Sequence, residues 1–166
     1  MTSTELCAAI PKEGKCVYDD EAKWLYDTAS AMETVVEIGS YKGRSTAMLC
    51  TTCRGNVIVV EPFIPSRAYP EFCINMAPFS NYTLMPTTSV LAAETIHDKS
   101  IDMVFIDGSL EYRYIIQDLK AWFPKANRLI CGRGYGDPDS GMSKAVDEFF
   151  AGKAELPVNT IWSVKI

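Results

Sequence analysis

Residues 34–49 read TVVEIGSYKGRSTAML, residues 50–56 CTTCRGN and residues 57–61 VIVVE. A β-branched run meets a glycine turn, a helical stretch follows, and a second apolar run ends on a carboxylate. The first run is short and closed by Gly39, the way a strand ends. The second is uninterrupted, the pattern of a parallel strand covered on both faces. Strand, glycine turn, helix, strand and acid in that order predict a pocket for a nucleoside carrying a charged tail, and they narrow the function to cofactor-using α/β enzymes.

Outward from this stretch the same alternation continues. Apolar residues at helical spacing predict helices over 19–32, 44–53, 90–96, 112–123 and 142–150, with a short one at 71–76. Pro124 stops the fourth of these. Strands are expected at 34–38, 57–60, 82–85, 101–106, 128–131 and 160–166. Strand and helix taking turns along the whole chain predict an open parallel sheet with helices on both faces, in a single domain over 1–166 with 1–32 as an N-terminal cover. Residues 62–79 break the pattern with Pro65, Pro70 and Pro78 and the rings of Phe63, Tyr69, Phe72 and Phe79. Those rings are candidate substrate walls, and packing against the sheet explains them about as well.

The chain has 166 residues and a net charge of −5, without a basic run. Such a balance argues against a surface that tracks phosphates, so nucleic acid is not an expected partner. No apolar stretch approaches the roughly 20 residues that cross a bilayer, and the first residues show no leader pattern. A soluble, cytoplasmic protein is expected. Six cysteines, including a C-x-x-C at Cys50 and Cys53, raise the question of disulfides or zinc. A structural zinc wants a second pair of ligands, and the only histidine is His97, so the cysteines read as reduced thiols.

In an open α/β sheet ligands bind beyond the carboxyl ends of the strands. This rule gathers Glu37, Gly39 and Gly43 after the first strand, Glu61 after the second, residues 87–89 after the third, Asp107 after the fourth and residues 133–137 after the fifth. His97 and Asp98 precede a strand and fall on the opposite rim. Gly39 and Gly43 are four apart with Ser40, Tyr41 and Lys42 between, which is not the G-x-G-x-x-G that seats a pyrophosphate. Their spacing lets backbone approach a ligand, and the helix that follows offers free N–H groups to a carboxylate, so an amino-acid tail fits better than a dinucleotide. Glu61 stands where a carboxylate can accept two hydrogen bonds from a ribose diol. Glu37 is placed to receive an ammonium, and Asp107 to hold another part of a cationic ligand.

Residues 37–45, EIGSYKGRS, resemble the first motif of class I S-adenosylmethionine-dependent methyltransferases, above all the small catechol-type and caffeoyl-type O-methyltransferases. VFIDGSLEYRYIIQDLKAWFPK, GMSKAVDEFF and WSVKI further along are similar to a related group of small bacterial class I enzymes. The resemblance covers about 33–166 and implies a Rossmann-like fold, mostly parallel with an antiparallel closing strand, and S-adenosyl-L-methionine as cofactor. It implies that Glu37, Gly39, Ser40, Tyr41, Gly43 and Ser45 surround the methionine part, that Glu61 holds the ribose, and that Ser89 lies beside the adenine and Asp107 near the sulfonium. On the acceptor side the chain departs from both groups. Leu110, Gly132 and Arg133 stand where metal-dependent relatives place a lysine base and an Asp-Asn pair, so no catalytic metal is expected.

A small-molecule acceptor is expected, with Asp107, Glu111, Arg133 and Tyr135 as candidate catalytic residues and Asp137 as a further acid on the same rim. A homodimer is compatible with this reading. Alternatives left open are a binding module on the same cofactor without turnover, another reaction on that cofactor, and a nicotinamide oxidoreductase, against which the absent G-x-G-x-x-G counts.

Overall fold

The computed structural model describes residues 1–14, 16–63 and 68–166. The chain begins with α1 (Ser3–Ala9) and α2 (Asp19–Ala29), then β1 (Thr34–Ile38), α3 (Arg44–Thr52), β2 (Asn56–Val60), α4 (Tyr69–Met76) and β3 (Tyr82–Met85). It continues with α5 (Ser89–Glu94), β4 (Ile101–Ile106), α6 (Tyr112–Trp122), a 3-10 turn (Phe123–Lys125), β5 (Ala126–Gly132), α7 (Met142–Phe150), β6 (Glu155–Val158) and β7 (Ile161–Lys165). The seven strands form one sheet in the order β3-β2-β1-β4-β5-β7-β6. The first five pair in parallel, whereas β7 runs antiparallel to β5 and β6 closes the edge antiparallel to β7. A Rossmann-like, mostly parallel sheet with an antiparallel closing strand is therefore present.

The two faces of the sheet carry two cores. Val35, Val57, Val59, Met103 and Phe105 pack under α1 to α4 with Leu6, Leu25, Met48 and Phe72. Val36, Ile38, Val104 and Ile106 pack under α5 to α7 with Ile115, Trp122, Val146 and Trp162. Successive side chains of a strand point to opposite faces, so runs such as Val35-Val36 are wholly buried because both faces are covered.

Two elements were not expected from the sequence. The first is α1, whose capping box joins Thr2 and Glu5: Glu5 N donates to Thr2 Oγ1 at 3.2 Å and Thr2 N to Glu5 Oε2 at 2.7 Å. The second is β6, a four-residue edge strand that holds Pro157, a residue tolerated where no partner needs its N–H. Pro65 lies outside the described residues. Phe63 packs edge-on against Tyr69 and Phe72, with centroids 5.0 and 5.3 Å apart, and Phe72 against Tyr82 at 6.0 Å. Those rings, with Phe79, pack on the first core.

Because the chain passes from β1 outward through β2 and β3 and then returns to pair β4 on the other side of β1, it leaves β1 toward α3 on one face and β4 toward α6 on the other, which opens a crevice beyond their ends. Crevices of this kind, at the point where strand order reverses, take ligands.

Candidate functional site

A cavity of about 660 Å³ opens at that crevice. Its wall begins with the turn after β1. Gly39 has φ +85°, and a Cβ there would stand 2.5 Å from the Asp107 carbonyl oxygen and 2.7 Å from the Gly108 Cα. Only glycine lets the ends of β1 and β4 lie this close. Gly39 N donates to Val60 O and Asp107 N to Ile38 O, which ties the ends of three strands together. Tyr41 also has positive φ, at +47°. The turn is held from β2: Ser40 N and Tyr41 N each donate to Glu61 Oε2 at 3.1 Å, and Phe63 N to Oε1 at 2.8 Å. Arg44 and Ser45, on the first turn of α3, continue the wall, and the opening N–H groups of a helix have no partner within it. Ser40 Oγ, 4 % exposed in this wall, has no hydrogen-bond partner. A buried hydroxyl without a partner is uncommon and fits a polar ligand.

The far side comes from β4, β5 and α6. Arg133 Nε donates to both Asp107 oxygens at 3.0 Å, and its Nη2 lies 2.9 Å from Oδ1. Burial pushes the Asp107 carboxyl up to about 6 while Arg133 opposes the shift. Leu110, Tyr114 and Asp118 extend this side. The roof is the segment between α1 and α2, which brings Gly14, Cys16 and Val17 over the opening. That segment is gripped from below by Arg44, 2 % exposed. Its Nε donates to Val17 O at 3.1 Å, its Nη1 to Cys7 O at 3.0 Å and to Ile10 O, and its Nη2 pairs with Asp19 at 2.5 Å. Lys42 adds ion pairs to Glu13 and Glu71 at 2.5 and 2.6 Å.

A family model described as a methyltransferase domain matches residues 36–128, more than half of the chain. The chain belongs to that methyltransferase family. No curated protein matches it. Among solved structures, an S-adenosylhomocysteine-bound methyltransferase from Podospora anserina aligns over 97 % of this chain and 84 % of its own, at 16 % identity and a TM-score of 0.70. An O-methyltransferase from Bacillus cereus, in complex with S-adenosylhomocysteine, covers 99 % of this chain and 89 % of its own, at 17 % identity and a TM-score of 0.66. A Corynebacterium glutamicum protein covers 98 % and 87 %, at 13 % identity and a TM-score of 0.71. These likenesses are of fold.

The methyltransferase domain brings most of the expected residues together. Gly39, Ser40, Tyr41, Ser45, Glu61, Ser89, Asp107 and Arg133 all line the cavity. Four do not. Glu37 faces the first core, because it shares its strand face with Val35; it is fully buried, and Thr46 Oγ1 donates to its Oε2 at 2.5 Å while Oε1 has no partner. Burial pushes its carboxyl up to about 8. Gly43 caps α3 at φ +85°, and a Cβ there would press on Met76 and Phe72 at 3.1 to 3.2 Å. Glu111 is exposed and paired with Arg113, and the Tyr135 hydroxyl donates to Asp147 at 2.8 Å. His97 is exposed in the turn before β4, on the other rim.

Sequence reasoning expected 1–32 as a cover without placing Gly14, Cys16 and Val17 in the site, and it missed two charged residues on apolar stripes. Arg44 opens α3 within a buried run, and Asp118 sits among Ile115, Leu119 and Trp122 on α6. A charge at a core position of a helix was the visible mark of each.

Proposed function

We propose that the chain is a single cofactor-binding domain that transfers the methyl group of S-adenosylmethionine to a small-molecule acceptor. The observation that carries this reading is the cavity at the β1–β4 crevice, where a glycine turn, the Glu61 carboxylate and the partnerless Ser40 hydroxyl meet within a methyltransferase family match. The cofactor supplies an electrophilic methyl on a sulfonium that becomes neutral as the carbon–sulfur bond breaks. The glycine turn and the first turn of α3 hold the amino-acid part, with Ser40 and Ser45 as polar contacts. Glu61 holds the ribose hydroxyls, exchanging part of its contact with the Ser40 and Tyr41 amides. The roof residues Cys16 and Val17 exclude water, which favours an in-line displacement between positioned groups.

Asp107 is the base when the acceptor carries a proton, and Arg133 orients it and the acceptor. With its carboxyl at about 6, Asp107 is ionised at neutral pH. The rate therefore rises with pH through that value and levels above it, and Asp107→Asn removes the rise. Both Asp107 oxygens are engaged by Arg133, which supports a metal-independent reaction; activity that survives EDTA is the expected result. Net charge and the small cavity favour a small acceptor over nucleic acid.

Parallel titration with S-adenosylmethionine and NADH, followed by assay of S-adenosylhomocysteine release over an acceptor panel, tests the reading. Cofactor binding with release that depends on an acceptor supports it. NADH binding without response to the sulfonium overturns it, and binding without release from any acceptor favours a binding module.

A further inference from the structure

α6 turns Ile115, Leu119 and Trp122 into the second core, and Asp118 lies on that same stripe at 6 % exposure. A carboxylate there is costly unless it is paired. Its side chain lines the cavity beside Thr88, Ser89 and Tyr114. The Trp122 indole N–H donates to Ser89 Oγ at 2.7 Å, and the Ser89 hydroxyl in turn bonds the Asp118 carboxyl. An ionised carboxylate only accepts, so the single Ser89 proton goes to Asp118 and Ser89 has none left for a ligand. Among the buried side chains at this end of the cavity, Asp118 keeps further acceptor capacity for a ligand.

Resting on the cofactor reading above, we infer that Asp118 reads the base of the adenosyl group. Its carboxylate accepts a hydrogen from the exocyclic amine of adenine and repels a base with a carbonyl at that position. Glu61 stands at the end of β2 and Asp118 on α6, so ribose and base are read from separate elements. Burial holds the Asp118 carboxyl at about 6, which leaves it ionised at neutral pH. Charge and buried hydrogen bonding make such a contact discriminating, since a mismatched base strands an acceptor against an acceptor.

Calorimetric titration of S-adenosylhomocysteine and S-inosylhomocysteine, in which a carbonyl replaces the amine, tests the assignment. The wild-type chain binds the adenosyl ligand on the order of 100-fold more tightly. In Asp118→Asn the carboxamide keeps its contact with Ser89 and offers both a donor and an acceptor, so the preference falls to within roughly tenfold. A purely structural Asp118 would weaken both ligands alike and leave the preference unmoved. An unmoved preference in the folded variant, or equal binding of both ligands by the wild type, overturns the role of Asp118 while the cofactor reading stands. Failure of the wild type to bind S-adenosylhomocysteine overturns that reading and this inference with it.

Discussion

At the scale of single residues, the two glutamates of the opening stretch have come apart. Glu61 accepts three backbone N–H groups and stands in the cavity wall. Replacing it with alanine removes a ribose ligand and loosens the turn at once, so Glu61→Ala weakens the cofactor by roughly 1.5 to 3 kcal/mol in calorimetry. Unchanged affinity in a folded variant removes the assignment. Glu37 has a different consequence, for stability. Its carboxyl ordinarily titrates at 4.5 and is held at about 8 in the folded chain. Below the lower value both states are protonated. Between the two the unfolded chain ionises and the folded chain does not, so stability falls as pH rises, by up to about 1.4 kcal/mol per pH unit. Glutamine does not titrate. Denaturant midpoints of the wild type should therefore decline relative to Glu37→Gln from pH 5 to 8, and a constant difference would sink the claim. The sequence reading put Glu37 on the ligand rim, and its period-two partnership with Val35, which turns it to a core face, went unused. What the sequence did not reveal was that α3 covers that face at Thr46.

At the scale of elements, the parallel core was legible because β1, β2, β4 and β5 are largely buried apolar runs between helices of 3.6-residue spacing, with the half-buried β3 the weakest of its strands. α1 and β6 escaped for physical reasons. α1 has seven residues and buries only Leu6, too short a pattern for periodicity, although its Thr2-x-x-Glu5 box was written in the chain. β6 lies at the sheet edge, mostly exposed and broken by Pro157, so it has no apolar alternation to read. The sequence marked 1–32 as a cover, but not its place at the cavity, because a side chain from elsewhere holds it there. Arg44 gathers three carbonyls and Asp19, although Asp19 itself is 79 % exposed and adds little. Arg44→Met strands those carbonyls, and the expected loss is about 2 to 4 kcal/mol in equilibrium unfolding. Hydrogen exchange should rise first in residues 3–17. A uniform rise over the whole sheet would show that Arg44 acts as a general core residue and not as the anchor of the roof.

At the scale of the molecule, the cavity joins parts of the chain that are far apart in sequence. Gly14, Cys16 and Val17 come from the roof, residues 39–45 from the glycine turn and α3, Ser89 from the start of α5, and residues 107–110 from the end of β4. Among the described residues no helix is long and apolar enough to cross a membrane. A ligand that fills this space binds the folded chain alone, and at 100 times its dissociation constant it stabilises by about 2.7 kcal/mol. That linkage has a spatial signature beyond a raised melting temperature. S-adenosylhomocysteine should slow hydrogen exchange together in residues 16–17, 39–45, 88–89 and 107–110. Strand β6, at the far edge of the sheet, should respond only through global unfolding. Protection confined to the glycine turn would mean that the roof and α6 take no part in binding. Protection that includes the roof and the start of α5 would mean that the first 18 residues complete a site whose floor the opening stretch provides.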